Sequence, residues 1–165
     1  MTALSFEELC EGSYATVVKA AYLIVGDRQE AMDVAQETFA RAFERWSLVG
    51  SMENPQGWLY RVAVNLSLST RRRTIRWVRG HIPDRGAPES APSDPLLARA
   101  LARLTPAQRA AVVLRFYVDL SVTDTAEALG NRPGTVRALT TQAISRLRDD
   151  LGPEWLEEHD EQAIP

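Results

Sequence analysis

The sequence predicts an all-α protein made of two small helical domains joined by a flexible linker. Apolar residues recur at the three- and four-residue intervals of amphipathic helices over most of the chain. Ser, Thr, Asp or Asn precedes several of these segments, in the position of a helix cap. No segment shows the apolar–polar alternation of a half-buried strand, so we expect the 165 residues to fold from helices alone.

Three helices are predicted in the N-terminal half. The first spans residues 6–25 and ends at the Gly26–Asp27 turn, and the second spans residues 28–46. After a loop at residues 48–54, Asn54 caps a third helix, which Pro55 begins and which reaches residue 76 or 79. The second helix has the most regular apolar face, which comprises Ala31, Val34, Ala35, Thr38, Phe39, Ala42, Phe43 and Trp46.

The outer face of the second helix is polar and mostly acidic. It carries Asp33, Gln36, Glu37 and Arg41. Periodicity favours a solvated face, on which Glu37 and Arg41 form an ion pair one helical turn apart. A docking surface for a protein partner is the alternative.

The third helix carries a basic line along one side. Its members, spaced by three or four residues, are Arg61, Asn65, Ser69, Arg72 and Arg76, with Arg71 and Arg73 beside them. Such a line fits a track of DNA phosphates, within which Asn65 can hydrogen-bond a base. Trp58 and Trp77 can stack on exposed bases, although burial statistics favour a core position for Trp58.

Charge is distributed in blocks that the net charge of −3 conceals. Residues 1–60 contain four basic and nine acidic residues, whereas residues 61–85 contain seven basic and one acidic. Residues 105–148 contain six basic and three acidic residues, and residues 149–165 contain seven acidic and no basic ones. Two basic segments beside an acidic one indicate two parts that face nucleic acid and an acidic face for another partner.

The C-terminal half begins after a predicted linker at residues 80–94, which is rich in Pro, Gly, Ser and Ala. A helix at residues 95–104 leads into a Thr105–Gln108 capping box and a further helix. Residues 120–148 then have the pattern of a helix-turn-helix: a Ser121–Asp124 capping box, a turn at Gly130, and a second helix from Pro133. The second helix of such a unit usually lies in the DNA major groove; an ordinary αα-corner is the alternative.

Motifs and composition argue against a catalytic or metal-binding protein. The sequence has no zinc-binding, nucleotide-binding or nucleophile-elbow motif, and it has one cysteine, Cys10, and two distant histidines. We therefore predict no catalytic residue, no metal ion and no cofactor. The lone cysteine fits a reducing cytoplasm, and neither a signal peptide nor a membrane-spanning run is predicted.

Three blocks of the sequence resemble the extracytoplasmic-function (ECF) sigma factors of bacteria. Their region 2 is similar to GDRQEAMDVAQETFARAFERW and, further on, to NPQGWLYRVAVNLSLSTRRR. Their region 4 is similar to LTPAQRAAVVLRFYVDLSVTDTAEALGNRPGTVRALTTQAISRLR. The blocks occur in the family's order, with a linker between the second and the third, and cover the chain from about Tyr14 to Leu151.

The resemblance implies a transcription initiation factor that binds core RNA polymerase and directs it to promoter DNA. It implies a region 2 at residues 1–79, a linker at 80–94, a region 4 at 95–152 and an acidic tail at 153–165. An anti-sigma factor is implied as a further partner.

The resemblance also implies roles for individual residues. Asp33, Gln36, Glu37 and Arg41 match the helix that docks on the polymerase. The residues that would contact the −10 element are Trp58, Arg61, Asn65, Arg72 and Arg73. The loop at residues 48–54 would capture a flipped base. Those that would contact the −35 element are Thr135, Arg137, Thr141 and Arg148.

The chain departs from the family pattern in its predicted helix-turn-helix. The family commonly has Ser at the position of Ala138, Arg or Gln at that of Leu139, and Arg at that of Gln142. It usually has a Ser or Thr cap at the position of Arg132. Because Leu139 cannot donate a hydrogen bond, the −35 contacts are either weaker or made to thymine methyl groups. Thr125 stands where the family usually has Ile.

Two other functions are compatible with parts of the sequence. A freestanding helix-turn-helix regulator that dimerises through its N-terminal helices is one, but it does not need an acidic helix followed by an arginine-lined one. A helical adaptor that binds no DNA is the other, and the two basic blocks argue against it.

Overall fold

A computed structural model describes residues 4–77 and 95–159, and for residues 71–77 and 155–159 it describes the backbone without the side chains. The described residues form helices and no strand, as predicted for an all-α chain. The helices are α1 (Phe6–Val25), α2 (Arg28–Glu44), α3 (Trp46–Val49), α4 (Pro55–Trp77), α5 (Pro95–Arg103), α6 (Pro106–Val112), α7 (Val122–Leu129) and α8 (Pro133–His159). The predicted linker at residues 80–94 lies outside the described residues.

Local capping fixes the ends of the first two helices. The Ser5 hydroxyl accepts a hydrogen bond from the backbone N–H of Glu8 (3.1 Å), and the Glu8 carboxylate accepts one from the N–H of Ser5 (2.8 Å). Gly26 ends α1 with a φ of 80°, a conformation that only glycine adopts without strain. Asp27 then caps α2 by accepting from the N–H of Glu30 (2.9 Å).

α1, α2 and α4 pack together around the core of the N-terminal half. The apolar faces predicted from the helical period meet there, and the core comprises Leu9, Val17, Val18, Ala21, Ala31, Val34, Ala35, Phe39, Ala42, Leu59 and Ala63. Three details of the prediction were wrong. Phe43 is 66% exposed instead of buried. The second helix ends at Glu44 instead of residue 46, and Trp46–Val49 form α3, so the loop before α4 begins only at Gly50.

The C-terminal half contains the predicted helix-turn-helix, α7 and α8. The Thr105–Gln108 capping box is present at the start of α6, and Gly130 ends α7 with a φ of 64°. Ser121 caps α7 as expected, but the Asp124 carboxylate accepts from the Ser121 hydroxyl instead of from its backbone N–H. The expected reciprocal box is therefore wrong at this position.

Two irregular segments of the C-terminal half were not predicted. A π-helical turn, Val113–Tyr117, continues α6, and the N–H of Val118 bonds there to the carbonyl of Val113 (3.0 Å). α8 is interrupted at Gly152, where φ is 77° and ψ is 165°, and Pro153 follows. The described residues after Gly152, up to His159, thus form a second helical segment separated from the first by a kink.

The two halves pack against each other through a shared core. Its members from the N-terminal half are Ala20, Leu23, Ile24 and Val64. Its members from the C-terminal half are Leu101, Leu104, Ala110, Val113, Leu114, Ala128 and Ala143. The apolar period of the sequence predicted an inward position for Ala110, Val113, Leu114 and Ala143 only. It did not predict the members from the N-terminal half or Ala128, and it did not predict that the two halves meet.

Candidate protein and nucleic-acid interfaces

The outer face of α2 brings together the four residues predicted to dock on a protein. Asp33, Gln36, Glu37 and Arg41 are all exposed, because the opposite side of the helix is taken up by the core. Arg41 Nε lies 2.7 Å from Glu37 Oε1, and Asp33 accepts a hydrogen bond from Gln29 (3.0 Å). Exposed ion pairs of this kind contribute only ~0–1 kcal/mol to stability, so folding does not require this arrangement of charges.

Phe43 lies beside this polar face, and the sequence analysis missed it as a surface residue. It follows Gln36 by seven residues, which places both on the same side of α2. Its ring lies 5.2 Å from the Phe6 ring in an edge-to-face arrangement, and Leu48 nearby is 56% exposed. Exposed aromatic side chains are enriched in protein interfaces. The seven-residue interval from Gln36 is the signal that could have identified Phe43.

α4 presents the residues predicted to contact the −10 element, to different degrees. Asn65 is exposed, while Trp58 and Arg61 are half-buried, and Trp58 packs against the N-terminal core. Trp58 therefore packs on the core and keeps part of its surface accessible to solvent. Arg72 and Arg73 lie in α4, in the segment whose side chains are not described.

The loop before α4 is anchored at its end by the predicted cap. Asn54 Oδ1 accepts a hydrogen bond from the N–H of Gly57 (2.8 Å). A Cβ atom at position 57 would lie 2.7 Å from the Asn54 side-chain nitrogen, so a larger residue would displace the cap. The cap therefore fixes the loop relative to Trp58, which follows Gly57.

A cleft of about 280 Å³ separates this part of α4 from α7. One wall is formed by Met52, Asn54, Gly57, Trp58 and Arg61, and the other by Leu120, Asp124, Glu127 and Ala128. Across the cleft Arg61 forms an ion pair with Glu127. Two of the predicted −10 residues, Trp58 and Arg61, therefore face the first helix of the helix-turn-helix, which the sequence did not indicate.

The second helix of the helix-turn-helix exposes all four residues predicted to contact the −35 element. Arg137, Thr141 and Arg148 are spaced by four and seven residues and share one flank of α8. Thr135 lies on the other flank. The third side of α8 carries Val136 and Ala143, which are fully buried and pack the helix against the rest of the domain.

Gln142, one of the departures from the family pattern, is engaged within the domain. The Gln108 amide donates to Gln142 Oε1 (3.2 Å) and accepts from Arg146 Nη1 (3.1 Å). Gln108 is 4% exposed and also closes the cap of α6. This network ties α6 to α8 and occupies the side chains of Gln142 and Arg146. Leu139 is half-buried.

Comparison with known proteins identifies the family. A model of sigma-70 region 2 matches residues 9–78, and a model of sigma-70 region 4 matches residues 95–147. The chain belongs to the ECF sigma factors of the sigma-70 family. Such a factor directs RNA polymerase to promoters at the initiation of transcription, and this is the function of the protein.

Relatives of this sigma factor match it over most of their length. It is 32% identical to the RNA polymerase sigma-E factor of Streptomyces coelicolor over 157 residues, covering 90% of this chain and 86% of the relative. It is 33% identical to the ECF RNA polymerase sigma factor SigL of Mycobacterium tuberculosis over 144 residues, covering 81% of each chain. The freestanding-regulator and adaptor hypotheses do not account for a match to region 2.

The fold is shared with two solved structures, one of them a sigma factor. The sigma factor RpoE of Bartonella quintana, solved in complex with the anti-sigma factor NepR, superposes with a TM-score of 0.74 at 22% identity and covers 88% of this chain and 96% of that one. The PhyRSL–NepR complex of Sphingomonas sp. Fr1 gives a TM-score of 0.67 at 18% identity.

The part of the sigma factor that the structure describes holds neither a cluster of metal ligands nor a membrane-spanning helix. Among the side chains that the structure describes, those of residues 4–70 and 95–154, no group of three or more His, Cys, Asp or Glu comes together as metal ligands. Over the same part of the chain, every helix is too short or too polar to cross a membrane.

Proposed function

We propose that the exposed face of α2 docks on core RNA polymerase through Asp33, Gln36, Glu37 and Arg41. The observation that carries this assignment is the convergence of all four on one solvent-facing side of one helix. Their charges add little to stability, and the exposed Phe43 ring extends the same surface with an apolar anchor of the kind found in interfaces.

The two basic surfaces then take the two promoter elements. α4 and the loop before it bind and open the −10 element through Trp58, Arg61 and Asn65, together with Arg72 and Arg73. Unstacking a base from the duplex costs a few kcal/mol of free energy. Stacking of that base on an aromatic side chain returns ~1–3 kcal/mol of this cost. α8 lies in the major groove of the −35 element, where Arg137 and Thr141 face bases and Arg148 faces the backbone. Thr135, at the start of α8, completes this set.

The protein on this proposal acts in the cytoplasm and has no catalytic activity of its own. An anti-sigma factor is proposed as a further partner, on the likeness in fold to RpoE, which was solved bound to NepR. A purified partner that binds the chain and prevents its association with core polymerase would support this. If no co-purifying protein reduces the association of the chain with core polymerase, the proposal of an anti-sigma partner is contradicted.

The docking assignment is tested by charge reversal. We expect the double variant Asp33→Arg, Glu37→Arg to lose co-elution with core polymerase in size-exclusion chromatography, because both changes place positive charge on the docking face. The control is the double variant Glu11→Arg, Glu154→Arg, which changes the net charge equally at exposed positions elsewhere. Co-elution of the first variant at the parent's level would refute the assignment, whereas loss in both variants would point to net charge.

A further inference from the structure

Gln142 is exposed on the flank of α8 that also carries Thr135. The two residues are seven positions apart, about two helical turns, which places them in line on the helix. Because Thr135 belongs to the proposed −35 set, Gln142 lies where a side chain of the recognition helix can reach DNA. A glutamine amide carries an acceptor at one end and a donor at the other. The end that faces outwards therefore determines what Gln142 can bind.

Hydrogen bonds within the domain fix the orientation of Gln108, the buried neighbour of Gln142. Gln108 Oε1 accepts from Arg146 Nη1 (3.1 Å) and from the backbone N–H of Thr105, whose nitrogen lies at 3.2 Å. A guanidinium and a backbone N–H can only donate, so the Gln108 atom that faces them is the oxygen. Gln108 Nε2 then faces Gln142, at 3.2 Å. Since Gln108 is 4% exposed, these bonds are shielded from water.

The orientation of Gln108 in turn fixes that of Gln142. An N–H group needs an acceptor, so the Gln142 atom that meets Gln108 Nε2 is Oε1. The amide nitrogen of Gln142 is the other end of the group, and it donates to nothing among the described residues. Gln142 thus offers DNA its N–H donors, while its oxygen is directed at α6. The arginine that the family commonly has at this position is likewise a side chain that only donates.

The base-pair edges of the major groove respond differently to such a side chain. Guanine presents two acceptors, N7 and O6, to which the two N–H groups of one amide can donate. A free glutamine pairs with adenine through its oxygen and its nitrogen together. With the oxygen held, the amide nitrogen instead meets the N6 amino group of adenine, which is itself a donor, and cytosine presents an amino group as well. Guanine is therefore favoured over adenine and cytosine.

We propose that Gln108 is a positioning residue, which holds Gln142 by its oxygen so that Gln142 selects guanine at one base pair of the −35 element. The inference rests on the proposed placement of α8 in the major groove of that element. It adds Gln142 to the four −35 residues assigned above, and it gives Gln108 a role in promoter choice beyond its part in the cap of α6.

The test is the selection of duplex DNA from a random library by holoenzyme, formed from the full chain and core polymerase. The base pair that Gln142 contacts is the one whose preference disappears in Gln142→Ala. We expect the parent to favour guanine over adenine at that pair by about five- to ten-fold, the lower part of the range for a specific base contact. Affinities for two duplexes that differ only at this pair measure the ratio.

The deciding variant is Gln108→Glu. The carboxylate keeps the bonds to Arg146 and Thr105, and glutamate suits the capping box as well as glutamine does, but a carboxylate cannot donate. Gln142 must then turn over, donate to the carboxylate and present its oxygen outwards. We expect the preference to change from guanine to adenine or cytosine, whose amino groups donate. A loss of stability alone would weaken binding to all sequences and leave the preference unchanged.

Gln142→Arg is a second variant, which leaves the buried Gln108 in place and decides the matter if Gln108→Glu fails to fold. Arginine only donates, so the guanine preference should remain. Loss of that preference in Gln142→Arg, or its retention in a folded Gln108→Glu, would overturn the proposal. The proposal also fails if Gln142→Ala weakens binding to all sequences equally, which is the result for a phosphate contact, or alters no preference at all.

The outcomes separate this inference from the proposed function. If the parent selects a −35 motif that Arg137→Ala weakens, and Gln108→Glu selects the same motif as the parent, the inference falls and the proposed function stands. If the parent holoenzyme selects no motif in the −35 region, the proposed role of α8 is removed, and the inference falls with it.

Discussion

The substitution Arg109→Met tests how strongly the two halves depend on one buried arginine. Arg109 is 6% exposed and donates to a carbonyl at the end of α1. Loss of the guanidinium donor removes this hydrogen bond from the buried Leu23 carbonyl, which lowers the free energy of unfolding by ~1–3 kcal/mol. Losing the cation at a helix C-terminus costs a further ~0.3–2 kcal/mol. Methionine keeps most of the packed stem and needs no desolvation of a charge, which offsets part of the loss.

We therefore expect Arg109→Met to lower the free energy of unfolding by about 2–3 kcal/mol. For a chain of this size 1 kcal/mol corresponds to ~2–4 °C, so the melting temperature should fall by ~4–12 °C. Thermal unfolding followed by circular dichroism at the helix band measures this change. The control is Arg99→Met on the exposed side of α5. A melting temperature of Arg109→Met within ~1 °C of the control's would refute the reasoning.

Three other changes test separate parts of the molecule. Arg137→Ala should weaken binding of the holoenzyme to promoter DNA by ~1–3 kcal/mol at constant salt, and an unchanged affinity in gel-shift titrations would exclude a base contact. Thr125→Val should raise the free energy of unfolding by ~1 kcal/mol, because the buried hydroxyl has no hydrogen-bond partner among the described residues; urea denaturation that shows a loss would contradict this. Burial raises the pKa of Tyr60 and of Tyr117. Their contribution to stability is therefore present below the ordinary tyrosine pKa of ~10 and lost as pH rises through the higher folded pKa. In Tyr60→Phe, the urea midpoint of unfolding should therefore fall less steeply as pH rises above ~10. A fall parallel to the parent's would contradict this prediction.

Local signals in the sequence predicted most helix boundaries correctly. Ser5 was not recognised as a cap, yet the apolar period together with the Gly26–Asp27 turn predicted the observed bounds of α1. Gly130 and Thr105 were recognised because turn and cap geometry depend on the residue itself and its nearest neighbours. The π-helical turn was missed because its backbone pattern has no counterpart in side-chain spacing.

Surface assignments were less complete, because exposure depends on what the helix packs against. Phe43 fits the apolar period of α2, yet it is 66% exposed and its ring contacts that of Phe6. Gln142 was noted as a departure from the family pattern, and only the position of Gln108 explains what its side chain does. No local rule links residues 34 positions apart.

The sequence by itself determined the fold class, the helix-turn-helix, the family and the separation of acidic and basic faces, since each is written in intervals of three to seven residues or in a contiguous motif. Only the tertiary structure decided which surfaces meet. The pairing of Arg61 with Glu127 and of Arg109 with Leu23 joins residues far apart in the chain. Helical periodicity says that a face is turned inwards, but not against which helix, because apolar packing is non-directional and any complementary face can satisfy it.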